Sequence, residues 1–176
     1  MASAACRGDA QLASGAYDLS VGGAGWLRRV ASRETLFNEP YVSVARRDHP
    51  RLSATVTLAE FLSERHVLIS LHRQVSGVVD SALSKIGQSR TVGLTVPSFL
   101  LAPSAVAGSD MILTVGQRIA EAFADALDLR IFPTPIAVKP YRVPMASHVR
   151  TAGDPAVEWL MEAIRTFTRE FAGPVP

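Results

Sequence analysis

The chain of 176 residues has the length of one domain, or of one domain with two lobes. Hydrophobic residues make up 48% of it and charged residues 19%, which is enough apolar material for a packed core and excludes a disordered chain. The 18 basic and 16 acidic residues leave a net charge of +2, which argues against nucleic-acid binding over a broad basic face, and the single cysteine, Cys6, excludes an intramolecular disulfide.

The N-terminal residues 1–11 include Arg7 and Asp9 and lack the apolar run of a signal peptide. No stretch of the chain approaches the ~18 apolar residues that a membrane span needs. We therefore predict a cytoplasmic protein without a membrane partner.

Short β-rich runs alternate with helical runs along the first half of the chain, which predicts an α/β fold. A helix is predicted to end at Gly15, and a second, short helix to follow the N-cap Thr57. The predicted strands of this half are Tyr17–Val21, Thr35–Phe37, Tyr41–Arg46 and His66–Ser70. Between these elements, Gly22–Gly25 and Leu71–Val75 are predicted as loops.

Serine residues open two predicted helices of the second half: Ser76 caps a helix that Gly87 ends, and Ser98 opens one that extends to about Ala107. Further helices are predicted at Gln117–Ala126 and behind Asp154. The predicted strands are Arg90–Val96, Met111–Val115, Leu129–Phe132, Ile136–Val138 and Tyr141–Val149. The order of elements over 41–138 predicts a self-contained lobe with a mainly parallel sheet.

Two details of the C-terminal part are also predicted. Pro144 lies inside the strand Tyr141–Val149, so this strand is expected at a sheet edge or at a bulge. The helical spacing of the last helix is expected to turn a set of apolar residues toward the core, namely Leu160, Ile164, Phe167 and Phe171.

Motifs of catalysis are weak in this sequence. Gly23-Ala24-Gly25 lacks a third glycine and is interpreted as a loop, with a phosphate site as the alternative. Asp48-His49 is a turn or, alternatively, an acid–base pair without a nearby nucleophile. His66 opens a buried strand and is interpreted as a core or edge histidine, and His72 and His148 are too far apart for a recognised metal spacing. We predict no enzyme activity, no metal and no cofactor.

Two serines just after predicted strand ends stand out, Ser76 and Ser98. Ligands of open parallel sheets bind outside the carboxyl ends of the strands. Free backbone N–H groups at a helix start, together with a serine hydroxyl, suit a carboxylate. The alternative is that both serines are ordinary N-caps.

Residues 15–171 resemble the C-terminal effector-binding domain of LysR-type transcriptional regulators, most closely the nodulation and aromatic-degradation branch. The resemblance rests on the order and spacing of several segments: Ser14–Leu19, Leu36–Arg51, His66–Ser70, Gly77–Asp80, Val96–Phe99, Ser109–Val115 and Asp154–Leu160.

The resemblance implies an α/β, periplasmic-binding-protein-like (type II) domain of two lobes, with one lobe incomplete. On this basis 38–140 would form lobe II, and 1–37 with 141–176 a remnant of lobe I. The family's DNA-binding winged helix-turn-helix is not found in this sequence, so we expect no specific DNA binding by this chain alone. An incomplete lobe with an open sheet edge favours a homo-oligomer.

The resemblance further implies an inducer-sensing function in transcription regulation, with a small effector such as an aromatic carboxylate held between the lobes. Ser76 and Ser98 match family effector positions, with Gly77 and Phe99 beside them, and Arg73 could pair with the acid. The alternatives are a stand-alone small-molecule-binding protein, an enzyme acting on a small acid, and a degenerate oligomerisation fragment.

Overall fold

The structure is a computed structural model that describes residues 10–22, 30–70 and 76–172. The described chain divides into two compact units, of which unit 1 comprises Met1–Glu39 with Tyr141–Pro176 and unit 2 comprises Pro40–Pro140. The strands are β1 (Leu19–Val21), β2 (Val30–Glu39), β3 (Tyr41–Arg46), β4 (Arg65–Ile69), β5 (Thr91–Val96), β6 (Met111–Gly116), β7 (Leu129–Phe132) and β8 (Tyr141–His148). The helices are α1 (Leu58–Ser63), α2 (Val78–Ser84), α3 (Ala102–Ala107), α4 (Gln117–Ala124) and α5 (Pro155–Ala172), with residues 10–14 helical as well.

Unit 2 is built on a five-stranded sheet in the order β5-β4-β6-β3-β7. Strand β4 pairs in parallel with β5 and β6, whereas β3 pairs antiparallel with β6 and β7. The prediction of a mainly parallel sheet is therefore wrong for two of the four pairings. Strands β4 to β7 share one direction because helices connect them, and β3, which precedes them in the chain, inserts between β6 and β7 in the opposite direction.

Helices cover both faces of this sheet. Alternate residues of each strand point to opposite faces, so neighbouring residues pack against different helices. Val44 and Leu113 belong to a buried cluster with residues of α3 and α4. Their neighbours Ala45 and Ile112 belong to a second cluster with residues of α1 and α2. The central strands β3 and β6 accordingly have near-continuous apolar runs, as strands that are buried on both faces require.

Helix α1 begins where the sequence predicts it. The Thr57 hydroxyl accepts a hydrogen bond from the Glu60 backbone N–H, and the Glu60 carboxylate accepts one from the Thr57 N–H at 2.7 Å. The hydrogen bonds that the Glu60 carboxylate accepts from the N–H and hydroxyl of Thr57, and those from Ser53, lower the pKa of Glu60 to about 2.

The predicted strand Ile136–Val138 is absent from the described residues. The segment that follows β7 is irregular, although Ile136 and Val138 pack against the second cluster. Pro133, Pro135 and Pro140 lack backbone N–H groups, so the segment cannot form a continuous ladder, and only its apolar side chains contribute to the core.

Unit 1 contains a three-stranded antiparallel sheet in the order β1-β8-β2. Of the two predicted places for Pro144, the bulge is the one observed. Strand β8 lies in the middle of the described sheet, and the register of β2 shifts between Thr35 and Phe37 opposite Pro144. The Pro144 carbonyl still accepts a hydrogen bond from the Gly22 N–H at 2.7 Å.

Helix α5 starts behind Asp154, whose carboxylate accepts a hydrogen bond from the Ala156 N–H at 2.9 Å. The predicted core face of this helix is wrong at two of its residues: Leu160 is 41% exposed and Phe167 is 66% exposed. Val157 and Met161 are buried instead, and Ile164 is partly buried against them. Each residue along a helix rotates the side-chain direction by about 100°, so Leu160 and Phe167 point away from the face that Val157 and Met161 bury.

Candidate functional site

The carboxyl ends of β4 and β5 lie side by side in unit 2. The two strands are parallel, with Ile69 opposite Val96, and the Ser70 N–H donates to the Val96 carbonyl at 2.9 Å. The segments that follow both strands therefore leave the sheet at one edge. This is the kind of edge at which parallel α/β sheets bind ligands.

The start of α2 is close to the same edge. A Cβ atom on Gly77 would lie 3.2 Å from Cδ1 of Leu68, so the backbone of Gly77 approaches β4 directly. Ser76 is exposed and lies one residue before this contact. Its predicted role as the N-cap of the helix is wrong, because Gly77 is the N-cap residue.

The backbone N–H of Gly77 is already bound within the protein. It donates to Oδ2 of Asp80 at 2.6 Å, and the same carboxylate accepts hydrogen bonds from Nε and a terminal nitrogen of Arg90 at 2.8 and 3.0 Å. Burial raises the pKa of Asp80, but the hydrogen bonds from Arg90 and Gly77 outweigh it and leave this pKa below its usual value. An ion pair of the protein itself thus occupies part of the predicted carboxylate site.

The predicted helix start at Ser98 is also wrong. Helix α3 begins at Ala102, and residues 99–101 form a turn. The Ser98 hydroxyl accepts a hydrogen bond from the Leu100 N–H at 3.2 Å, so this serine stabilises the turn. Phe99 is 41% exposed, and Leu100 and Leu101 are more exposed still, so the turn presents apolar side chains to solvent.

Two sets of predicted residues lie outside the described part of the chain: Arg73 with the rest of Leu71–Val75, and Gly23-Ala24-Gly25. The described site residues are thus Ser76, Gly77, Ser98 and Phe99, which border the same sheet edge from two segments. Ser70 is a further residue at this edge, and the sequence pattern predicted it only as the end of a strand. Its hydroxyl is buried and has no hydrogen-bond partner among the described residues.

Asp48-His49 forms the predicted turn rather than an acid–base pair facing a cavity. Nε2 of His49 donates to the Asp110 carbonyl at 3.1 Å, and Nδ1 accepts a hydrogen bond from the Arg51 N–H, so both ring nitrogens have partners. Arg51 binds the buried carboxylate of Glu64 through two nitrogens, at 2.7 and 2.8 Å. These contacts tie the turn to the sheet.

The second buried histidine of unit 2 has a structural role. Nε2 of His66 donates to the Phe61 carbonyl at 2.8 Å, and the two rings pack edge to face. Burial lowers the pKa of His66 to about 4. Within the described residues, no group of three potential metal-binding side chains occurs.

Unit 1 contains a separate cavity of about 520 Å³ between the sheet and the first half of α5. Several of its polar groups have partners within the protein: the hydroxyls of Ser32 and Ser147 lie 3.3 Å apart, and Arg165 pairs with Glu34 and Glu162. Among the described residues, no helix has the length and apolar composition of a membrane span.

Comparison with known proteins gives a consistent picture. The family model described as LysR substrate binding domain matches residues 9–169. The HTH-type transcriptional regulator SyrM of Rhizobium meliloti is 31% identical to this chain over 150 residues, which are 85% of this chain and 46% of SyrM. The chain spans about half the length of the curated relatives it matches.

Solved structures share the fold. The regulatory domain of MexT, a transcriptional activator in Pseudomonas aeruginosa, matches with a TM-score of 0.77 and 31% identity, over 90% of this chain and 76% of that chain. The effector binding domain of QuiR in complex with shikimate matches with a TM-score of 0.72 over 97% of this chain and 80% of that chain. Its 14% identity shows a common fold only.

Proposed function

The chain belongs to the LysR substrate-binding domain family, and on this premise we propose that it is the effector-sensing part of a LysR-type transcriptional regulator. The fold class predicted from the sequence, α/β and periplasmic-binding-protein-like of type II, is confirmed by the family match and by its structural neighbours. The matched relatives are transcriptional regulators rather than enzymes.

We assign unit 2 to lobe II of such a domain and unit 1 to a remnant of lobe I. The observation that carries the functional proposal is the shared carboxyl edge of β4 and β5, which is bordered by Ser76 and Ser98. Both residues sit where open parallel sheets bind their ligands.

The effector that we propose is a small aromatic carboxylate. The apolar turn at Phe99 offers a surface for a ring, and the hydroxyls of Ser76 and Ser98 offer polar contacts. Arg73 would supply the charge-assisted partner of the carboxylate. Small molecules do bind domains of this fold: the effector binding domain of the structural neighbour QuiR holds shikimate.

Calorimetry of the chain against a panel of aromatic acids tests this function. We expect Ser76→Ala and Ser98→Ala each to weaken binding by about tenfold, because each removes one polar contact. The melting temperature should change little, since Ser76 is exposed and the Ser98 hydroxyl makes one local hydrogen bond, worth about 1 kcal/mol. Ser84→Ala, an exposed serine at the other end of α2, is the control and should bind as the native chain does.

Two results would reject the assignment. Absence of binding to the native chain across the panel rejects the aromatic acid as effector. Binding that both serine variants retain unchanged rejects this edge as the site.

We also propose that the chain forms a homo-oligomer. The support is apolar surface: Val78 and Ile86 at the two ends of the α2 region are about half exposed, and Trp159 on α5 is 72% exposed. Light scattering over a concentration series should then show a mass that rises with concentration, and a monomer throughout would contradict the proposal.

A further inference from the structure

We infer that Ser70 is a further effector-binding residue, and that it contacts a neutral hydroxyl or carbonyl group of the effector rather than its carboxylate. This inference rests on the proposed function, which places the effector at the carboxyl edge of β4 and β5. It assigns a second polar group of the ligand to a residue for which the family match and the serine pattern gave no role.

The first argument is the state of the Ser70 hydroxyl. Ser70 is only 9% exposed, and its Oγ has no hydrogen-bond partner within the described residues. Ser43 in the same unit is fully buried, but its hydroxyl lies 3.0 Å from that of Thr114 and 2.9 Å from that of Thr134. Buried hydroxyls in folded proteins are paired as a rule, so the exception at Ser70 calls for a partner from outside the described chain.

The second argument is direction. The Ser70 N–H continues the ladder with β5, so the strand alternation extends to this residue. Leu68 and Ser70 therefore face the same side of the sheet. Leu68 on that side approaches the backbone of Gly77, so the Ser70 hydroxyl faces the side of the sheet on which α2 begins.

The third argument concerns charge. Arg90, the cation at the start of α2, is paired with Asp80 and has only 2% of its side chain exposed. The Asp80 carboxylate also holds the Gly77 N–H. A ligand carboxylate beside Ser70 would approach this carboxylate without gaining Arg90 as a partner, whereas a neutral hydroxyl or carbonyl group would not be repelled.

The experiment removes the hydroxyl group from the ligand and, separately, from residue 70 of the protein. Calorimetry gives the Kd of the native chain and of Ser70→Ala for benzoate and for its three monohydroxy derivatives. We expect at least one hydroxybenzoate to bind the native chain about fivefold to tenfold more tightly than benzoate, which is the effect of one hydrogen bond. In Ser70→Ala this preference should disappear while the affinity for benzoate stays the same.

A ligand-free measurement tests the same residue independently. The melting temperature of Ser70→Ala should be unchanged or higher, because the variant removes a buried polar group without breaking a hydrogen bond. Ser43→Ala is the matched control and should melt several degrees lower, since it breaks two hydroxyl contacts.

The outcomes separate the two proposals. A Ser70→Ala variant that melts as low as Ser43→Ala has lost an internal partner, which overturns the inference. Native and variant chains that share the same preference for a hydroxybenzoate overturn it as well, while leaving the proposed function in place. Failure of the native chain to bind any of the four acids rejects the aromatic carboxylate that we propose as its effector, on which the inference rests.

Discussion

The two units bury their apolar residues in different ways. In unit 2, helices cover both faces of the five-stranded sheet, and each face has its own buried cluster. In unit 1, α5 packs on a three-stranded sheet through Val157 and Met161, while Trp159 and Phe167 on the same helix are 72% and 66% exposed. Unit 2 thus buries most of its large apolar side chains internally, whereas unit 1 leaves aromatic surface uncovered. The stability of the chain should therefore depend more strongly on unit 2.

The sharpest test of this difference replaces one phenylalanine in each unit. Phe61 of α1 is fully buried in the second cluster, so Phe61→Ala should reduce the free energy of unfolding by about 3–5 kcal/mol through lost burial and a cavity. Phe167→Ala on α5 removes the same side chain from an exposed position and should change it by less than about 0.5 kcal/mol. Urea denaturation of both variants measures this. Equal losses would show that the exposed face of α5 is packed in solution.

A second test uses the pH dependence of unit 2. Burial lowers the pKa of His66 from 6.5 to about 4, so between these values the unfolded state binds more protons than the folded state. The stability that depends on a neutral His66 is therefore fully present above pH 6.5. As the pH falls toward 4, the free energy of unfolding decreases by up to about 3 kcal/mol. His66→Gln keeps a donor for the Phe61 carbonyl but cannot titrate, and it should flatten this dependence.

Urea denaturation of native chain and His66→Gln, at neutral pH and near pH 5, provides the comparison. The carboxylates of Glu64 and Asp80 have lowered pKa values, so their contribution is lost only below the usual carboxylate range and does not overlap strongly with that of His66. If the variant loses as much stability between the two pH values as the native chain, His66 is not the group responsible.

The sequence predicts best where a local rule decides the structure. Thr57 with Glu60 three residues later is a complete capping box, and α1 begins there. His66–Ser70 is an apolar run too short for a helix, and β4 occupies almost the same residues. The order of such segments was also sufficient to identify the family.

Competing local hydrogen bonds and the pairing of strands decide the cases that the sequence does not predict. Ser76 is a residue type that favours an N-cap. The Gly77 N–H instead donates to the Asp80 carboxylate, which Arg90, ten residues farther along, holds in place. Ser98 uses its hydroxyl in a turn, which delays the start of α3 to Ala102. The unpartnered hydroxyl of Ser70 becomes visible only when the pairing of β4 with β5 is known.

The smallest expected difference between the units lies in their ion pairs. In unit 2, Arg51 binds both carboxylate oxygens of the buried Glu64. In unit 1, Arg150 binds the exposed Asp18 through a single 2.6 Å contact. Glu64→Gln removes one of the two carboxylates that pair with Arg51; Asp110 remains at 3.1 Å, and because Arg51 is 54% exposed, water compensates for part of the loss. We expect a cost of about 1–2 kcal/mol for Glu64→Gln and of less than about 0.5 kcal/mol for Asp18→Asn. Denaturation at low and high salt measures both, and a larger loss for Asp18→Asn would reverse the proposed ranking of the two units.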